Sequence, residues 1–236
     1  MFNDPIYWLI LGVGMIFSVF AQFKVKRAYK KFSKVPASSG MSGAEAAAHM
    51  LRENGLPGVG IERVNGFLSD HYDPRKKVLR LSPDVHDGRS LASLGVACHE
   101  AGHALQDAKG YKPLFLRSSL VPAANIGSRL GIWFIFGGMA LGAAAGSSWG
   151  HTIAMIGFYG FVAAALFTIV TLPVEFNAST RAKKQLAELG LLKSQEEQRG
   201  VATVLSAAAL TYVAAAAAAI LQALYWAHVL GLFGRR

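Results

Sequence analysis

Residues 98–103 read Cys-His-Glu-Ala-Gly-His, and the rest of the chain is interpreted outward from this stretch. On an α-helix, residues four apart lie on the same face, so His99 and His103 can direct both imidazoles at a single point. Glu100 projects beside that point without having to be a ligand. Two neutral imidazoles suit Zn²⁺, and a third protein ligand would leave one coordination position open for water. The spacing therefore predicts a zinc site with an acid beside it.

This residue pattern indicates a specific chemistry. Zinc lowers the pKa of a bound water towards ~7, and Glu100 could accept its proton and later pass it to a leaving amine. The predicted reaction is peptide-bond hydrolysis, with Glu100 as the catalytic base. So short a pattern also occurs by chance on amphipathic helices, so the other segments must support it or contradict it.

The composition is that of an integral membrane protein. The 236 residues are 53% hydrophobic and 16% charged, with a mean hydropathy of +0.34, whereas a soluble domain carries about 25% charged residues. The net charge of +10 is concentrated beside apolar runs, which favours orientation in a bilayer and contact with anionic lipid over nucleic-acid binding. Cys98 is the single cysteine, which excludes an intramolecular disulfide.

Apolar stretches long enough to cross a bilayer, which takes roughly 17–25 residues, divide the chain. The first is expected to be an uncleaved signal-anchor, because it has no basic leader and no convincing small-residue cleavage site. The predicted parts are an N-terminal anchor (1–23), a polar segment holding the motif (24–112), a transmembrane hairpin (113–172), a polar helix (173–200) and a C-terminal span (201–236).

Three boundaries within this scheme follow from glycine and proline. Gly146–Gly150 is expected to be the turn of the transmembrane hairpin. Pro173 is expected to close the second arm of that hairpin or to begin the next helix. Gly200 is expected to end the loop before the last span.

The distribution of positive charge predicts the orientation. All but four of the 24 Lys and Arg residues lie in 24–112 and 173–200. By the positive-inside rule both segments are cytoplasmic and the N-terminus lies outside. The chain is therefore expected to be a multi-pass protein of the cytoplasmic membrane with its active site on the cytoplasmic side, and a third zinc ligand must lie on that face.

The polar segment is expected to form a helix and then a small antiparallel sheet. Ser42 and Glu45 make a capping-box pattern for a helix that ends at Gly55. Val59–Val64, followed by Asn65-Gly66 and Phe67, predicts a hairpin. A further strand is expected over Lys77–Ser82, after a turn at Asp73-Pro74, and Pro83–Gly88 is expected to be a loop.

The motif itself is expected to lie on a helix outside the hydrocarbon. Ser90 can cap this helix, which would run over Leu91–Ala108. Arg89 and Asp107 bracket it, so its uninterrupted apolar stretch is too short to span.

Glu175 is the candidate third ligand. It lies in the first turn of the predicted helix in 173–200, where a membrane span ends, on the required side. Acids in a first helical turn are common because they interact favourably with the helix dipole, and taken alone this explanation would be preferred. With His99 and His103 predicted on the same face, ligation becomes the better interpretation.

The chain resembles the YugP-like membrane zinc metallopeptidases, a bacterial family related in layout to the HtpX-like gluzincins. The resemblance covers most of the chain and implies zinc on His99, His103 and Glu175, with Glu100 as the base. It rests on four segments: LSDHYDP at 68–74, LRLSP at 79–83, HEAGHALQ at 99–106 and PVEF at 173–176.

Supporting residues are less well determined. In the HtpX-like pattern an Asp four residues after the third-ligand Glu orients a ligating His, and here that position is Ser179. A serine hydroxyl can still bond an imidazole, with less effect on its basicity, and Asn177 is another candidate. His71, Tyr72 or Arg181 could stabilise an oxyanion, although residues of each type are more often structural.

The sequence thus predicts a mainly α membrane protein with four transmembrane helices and a small cytoplasmic α+β zincin-like metallopeptidase domain. Its predicted function is that of a zinc-dependent endopeptidase acting on protein or peptide substrates. Gluzincin-like enzymes bind peptide as a strand added to an exposed sheet edge, and Val78–Ser82 is the candidate edge here, with a place in the core of the sheet as an equal alternative. No nucleic-acid partner is expected, and a membrane-protein partner or an oligomer is left open. Two alternatives remain: an intramembrane-cleaving zinc protease, and a non-catalytic scaffold or partner-binding protein with a structural zinc site.

Overall fold

The computed structural model describes residues 4–66, 69–145 and 148–233 and shows a mainly helical chain with one small sheet. Phe67, which follows the predicted turn of a hairpin, and Gly146, which begins the predicted turn at 146–150, lie outside these ranges. Residues 148–150 of that second turn are helical instead. The helices are α1 (Pro5–Phe32), α2 (Gly43–Glu53), α3 (Pro83–His86), α4 (Leu91–Ala108), α5 (Lys112–Ala145), α6 (Ser148–Glu188) and α7 (Gln195–Val229). The strands are β1 (Gly60–Arg63), β2 (His71–Asp73) and β3 (Val78–Leu81).

Helices α1, α5, α6 and α7 are long and apolar enough to cross a membrane. The predicted number of four spans is therefore confirmed among the described residues. The helix that carries the motif, α4, is not one of the four.

Two predicted boundaries at the ends of spans are wrong. Helix α6 continues through Pro173, although proline has no N–H to donate to the preceding turn. The helix is maintained beyond it because Val174, Ala178 and Ala182 are fully buried at helical spacing. Helix α7 begins at Gln195, so Gly200 lies inside the helix and not at the end of a loop. Glycine fits there because a Cβ at this position would lie 2.9 Å from the ring of Phe32.

The described chain forms two compact units, and each helix that could span contributes to both. One unit comprises Met1–Val19, Phe115–Leu172 and Tyr212–Arg236, and the other comprises Phe20–Leu114 and Pro173–Thr211. We call the first the apolar unit and the second the polar unit.

In the apolar unit, small residues let α5 and α6 pack closely. A Cβ at Gly131 would lie 2.9 Å from the carbonyl oxygen of Gly157. Such glycines allow the backbones of two helices to pack closely. Close packing matters in a membrane, because the hydrophobic effect does not drive helices together in lipid. Next to this contact, Ile135 and Trp226 are buried, and Phe136 meets Trp226 edge to face with ring centroids 5.5 Å apart.

The sheet of the polar unit is mixed, with the strand order β1-β3-β2. Strand β1 pairs with β3 in parallel, so the predicted hairpin after Val59–Val64 is wrong. The hairpin in the structure joins β2 to β3 around the predicted turn at Asp73-Pro74. Strand β3 is central, and the prediction that Val78–Ser82 forms the edge is also wrong. Its near-continuous apolar run fits this place, because Val78, Leu79 and Leu81 are all buried, as is typical of a strand inside a covered sheet.

Local sequence signals place the helices of this unit correctly. The capping box before α2 is present, with the Glu45 amide donating to Ser42 Oγ at 3.2 Å and the Ser42 amide donating to Glu45 Oε2 at 2.7 Å. Ser90 caps α4 by accepting from the Ser93 amide at 3.1 Å. Part of the predicted loop at 83–88 is instead the single turn of α3. Most of α4 is buried in the core of this unit, which fixes the helix that bears the motif.

Candidate metal centre

Helix α4 presents His99 and His103 on one face, one turn apart. Their ring centroids are 4.8 Å apart and their planes are nearly perpendicular, at 87°. The opposite faces of the helix carry Leu94, Cys98 and Ala101, which are fully buried in the hydrophobic core. Packing of the apolar faces therefore determines the direction in which both imidazoles point.

Glu175 approaches both imidazoles from α6. Its Oε2 atom lies 3.1 Å from His99 Nε2 and 3.7 Å from His103 Nε2. One ligand atom from each of the three residues can be chosen so that all lie within 4.8 Å of one another. The carboxylate is 2% exposed, so it is held inside the polar unit and is not a freely moving surface acid.

This approach requires a position in α4 that has no side chain. A Cβ at Gly102 would lie 2.7 Å from the carbonyl oxygen of Ala178, closer than side chains come to backbone atoms. Glycine at this position lets the backbones of α4 and α6 meet, and Glu175 lies one turn before Ala178 on the same helix. The glycine within the motif thus has a packing role of its own.

The donor set fits zinc. Two imidazole nitrogens and one carboxylate oxygen are the ligand types found in catalytic zinc sites with an open position. Within the described residues, the group of possible ligands has three members and no fourth His, Cys, Asp or Glu joins it. Structural zinc sites are usually closed by four protein ligands, so the arrangement favours an open site.

The other nitrogen of each imidazole is also engaged. Ser179 Oγ lies 3.1 Å from His99 Nδ1, and Gln106 Oε1 lies 3.0 Å from His103 Nδ1. Both Nδ1 atoms therefore face supporting groups, and both Nε2 atoms are left facing Glu175. Such outer hydrogen bonds fix the tautomer and the ring orientation of ligating histidines.

A chain of amides assigns the tautomer of His103. Gln106 Nε2 donates to the carbonyl oxygen of Val174 at 2.8 Å and to Asn177 Oδ1 at 3.0 Å. Arg181 Nε donates to the same Asn177 oxygen at 2.7 Å. Because the Gln106 nitrogen is used in this way, its oxygen must accept from Nδ1–H of His103. The Nε2 lone pair is then directed at the candidate metal position.

The electrostatics of the pocket are strongly anionic. Burial opposes protonation of His103, but its hydrogen bond to Glu175 and the charges of Glu100 and Glu175 raise its pKa above the usual value. Protons and metal ions compete for the same nitrogen. A cluster that stabilises a positive charge on His103 is also one that attracts a cation.

Glu100 is buried directly beside the first candidate ligand. It is 8% exposed, and among the described residues nothing donates a hydrogen bond to its carboxylate. Glu100 follows His99 directly in α4, and its charge is close enough to act on His103.

Comparison with known proteins identifies the family. Residues 7–231 match the family model described as "Putative neutral zinc metallopeptidase". The chain is also 46% identical over 219 residues to "Putative membrane protease YugP" from Bacillus subtilis (strain 168), and the alignment covers 93% of each chain. The chain belongs to the neutral zinc metallopeptidase family. No solved structure gives a significant match.

Family membership confirms the resemblance drawn from the sequence, and it implies zinc. The structure brings His99, His103 and Glu175 together at the position where zinc would bind. It also places two of the predicted supporting residues: Ser179 contacts His99 directly, whereas Asn177 reaches His103 only through Gln106.

The three candidates for oxyanion stabilisation contact residues other than the candidate zinc ligands. His71 is exposed in β2, with Nδ1 2.8 Å from the carbonyl oxygen of Ser69. Tyr72 donates to Asp107 Oδ2 at 2.8 Å, four residues beyond His103. Arg181 is engaged with Asn177. Their roles in the chemistry remain predictions.

Gln106 is the supporting residue that the sequence interpretation missed. It is fully buried and lies three residues after His103 on the same face of α4. That spacing was available as a signal, because residues three apart on a helix are neighbours and an amide can accept from an imidazole N–H.

We expect His103→Ala to remove the zinc, because two of the three ligands cannot hold the ion against a chelator. His49→Ala is the matched control, since His49 lies on α2 and faces Glu53 at 4.0 Å. Elemental analysis of purified protein after dialysis against EDTA should show zinc in wild type and control only. Full zinc content in His103→Ala would contradict the ligand assignment.

We expect Gln106→Leu to weaken zinc binding by about 10–100-fold, the usual effect of losing an outer hydrogen bond to a ligating histidine. Leucine is close in volume but leaves Nδ1 of His103 without an acceptor. Competition with a fluorescent chelator gives the affinity, and Gln195→Leu, at the start of α7, is the control. Unchanged affinity would show that Gln106 does not orient His103.

Proposed function

We propose that this chain is a membrane-embedded zinc endopeptidase that hydrolyses peptide bonds at the cytoplasmic face of the membrane. The observation that carries the proposal is the contact of Glu175 with both His99 and His103. The shorter of the two contacts, 3.1 Å, joins Glu175 to His99, which lies 76 residues earlier in the chain. Family membership supports the reaction class, and the buried Glu100 beside His99 supports catalysis over a purely structural site.

The chain's own groups account for proton movement. When bound, zinc would supply a Lewis acid that polarises a carbonyl and lowers the pKa of water. Glu100 has no hydrogen bond to break before it accepts a proton, and it can later donate that proton to the leaving amine. Its burial keeps bulk water from competing as the base.

The residues around the candidate ligands fix their orientation and their distance from one another. Ser179 and Gln106 fix the two imidazole rings, and the contact between Gly102 and Ala178 fixes the distance between α4 and α6. Preorganisation of this kind reduces what must be ordered during the reaction.

A peptide substrate is proposed to bind along the free edge of β2. Among the described residues, β2 pairs with β3 on one side and with no strand on the other. The hydrogen bond from Tyr72 to Asp107 joins β2 to the C-terminal end of α4, close in sequence to His103. An added strand would gain backbone hydrogen bonds there without requiring a particular sequence.

Cleavage is proposed to occur outside the hydrocarbon. Helix α4 is not among the helices that are long and apolar enough to span. Its N- and C-terminal flanks carry Arg89 and Asp107, and the lysines and arginines of 24–112 and 173–200 favour the cytoplasmic side. Both segments lie entirely within the polar unit, as expected if they lie on one side. A membrane-protein partner or an oligomer remains a prediction.

We expect Glu100→Gln to keep its zinc but to lose at least about 100-fold in peptidase activity, since general-base catalysis contributes that much or more. Cleavage of casein and of a reconstituted membrane protein should be followed beside zinc content. Glu53→Gln, on the exposed end of α2, is the control. Equal activity of Glu100→Gln and wild type would refute the base assignment.

The sidedness is tested with variants that each add one cysteine to the chain, which keeps Cys98. Cys98 gives little background, because burial raises its pKa to about 12. In intact spheroplasts of a bacterial host, a membrane-impermeant maleimide should label His151→Cys but not Arg52→Cys. Both variants should be labelled after lysis. Labelling of Arg52→Cys before lysis would contradict a cytoplasmic site.

A further inference from the structure

A groove between α1 and α7, within the polar unit, has one basic end and one apolar end. It encloses about 970 Å³. The basic side chains that line it are Lys24, Arg27 and Lys31 from α1 and Arg199 from α7. No acidic residue is among its lining residues.

None of these four cations is neutralised within the described chain. All four are exposed, and no carboxylate of residues 4–66, 69–145 or 148–233 lies within salt-bridge distance of them. The ammonium groups of Lys24 and Lys31 instead lie 5.5 and 5.1 Å from the ring centroids of Phe20 and Phe32. Their positive charge therefore remains available to a ligand.

The cations share one face of α1. Lys24, Arg27 and Lys31 are spaced by three and four residues, and they extend over about 10 Å of the helix axis. Arg199 lines the same groove from α7, which approaches this part of α1 where Gly200 lies against Phe32. Four positive charges from two helices thus line one groove.

The other end of the groove is apolar. It is lined by Phe20 and Phe23 of α1 and by Leu210 of α7. Phe20 and Phe23 are 52% and 61% exposed, on a helix that is apolar enough to cross a membrane. A soluble anion would use only the basic end and leave these rings uncovered.

We propose that the groove binds one anionic phospholipid, with its phosphodiester among Lys24, Arg27, Lys31 and Arg199 and its acyl chains over Phe20, Phe23 and Leu210. The order of charge and apolar surface along the groove matches the order of headgroup and chain in a lipid. Basic pockets between membrane helices on the cytoplasmic side are suited to such headgroups. This site is separate from the candidate metal centre.

The proposal differs from general attraction of basic residues to a charged membrane. Lys26 and Lys30 belong to the same basic run of α1 but do not line the groove. They contribute equally to the orientation of the chain. The pair Lys26→Gln/Lys30→Gln is therefore a matched control for Lys24→Gln/Lys31→Gln, with the same charge removed from the same helix.

Native mass spectrometry of the full chain in detergent tests the proposal by titration with dioleoyl phosphatidylglycerol and dioleoyl phosphatidylcholine. We expect one phosphatidylglycerol per chain, with phosphatidylcholine bound at least about tenfold more weakly, because each nearby cation contributes to binding an anionic headgroup. The groove pair, Lys24→Gln/Lys31→Gln, should weaken the binding of phosphatidylglycerol by about tenfold or more. The control pair, Lys26→Gln/Lys30→Gln, should weaken it by less than about twofold. Inorganic phosphate should not displace the lipid.

Equal losses in the groove and control pairs would overturn the proposal in favour of diffuse attraction. Equal binding of phosphatidylcholine, or complete displacement by phosphate, would overturn it as well. Arg199→Gln, on α7, is a further variant and should also weaken the binding of phosphatidylglycerol. Circular dichroism of each variant verifies that it is folded, independently of the metal centre.

Discussion

The site depends on the close approach of two helices, α4 and α6. Gly102 leaves space for the carbonyl oxygen of Ala178, which a Cβ would approach to 2.7 Å. Through this contact, Glu175 reaches imidazoles that precede it by more than 70 residues. The same contact lets Gln106 bond the backbone of α6 at Val174. A single small residue therefore controls both the ligand geometry and the hydrogen bonds that support it.

Much of the fold followed from local signals, and the errors arose where tertiary packing overrode them. Ser42, Glu45 and Ser90 marked helix starts correctly because a cap acts within one turn. Pro173 did not end a helix, since the buried face that continues through Val174 stabilises the turns beyond it. The sheet order was missed because Asn65-Gly66 favours a hairpin locally, whereas β1 pairs in parallel with β3, a pairing that a local turn signal does not specify.

The candidate ligands could be predicted from spacing and resemblance, but their support could not be fully predicted. Helical spacing alone puts His99 and His103 together, and a charge argument put Glu175 on the same side. Ser179 was expected from its place four residues after Glu175, and it does contact His99. The link from Asn177 through Gln106 to His103 crosses between helices. It depends on the distance between α4 and α6, which no sequence pattern specifies.

The buried charges give a physical reason why the fold and the metal should depend on each other. Glu100 and Glu175 are 8% and 2% exposed, and removing two carboxylates from water is costly unless both are compensated. Within the described residues the imidazoles compensate Glu175, and the charge of Glu100 acts on His103. A divalent cation at the point shared by His99, His103 and Glu175 would be attracted by the same two carboxylates. Because such an ion binds the folded chain and not the unfolded one, its binding free energy adds to the stability of the fold.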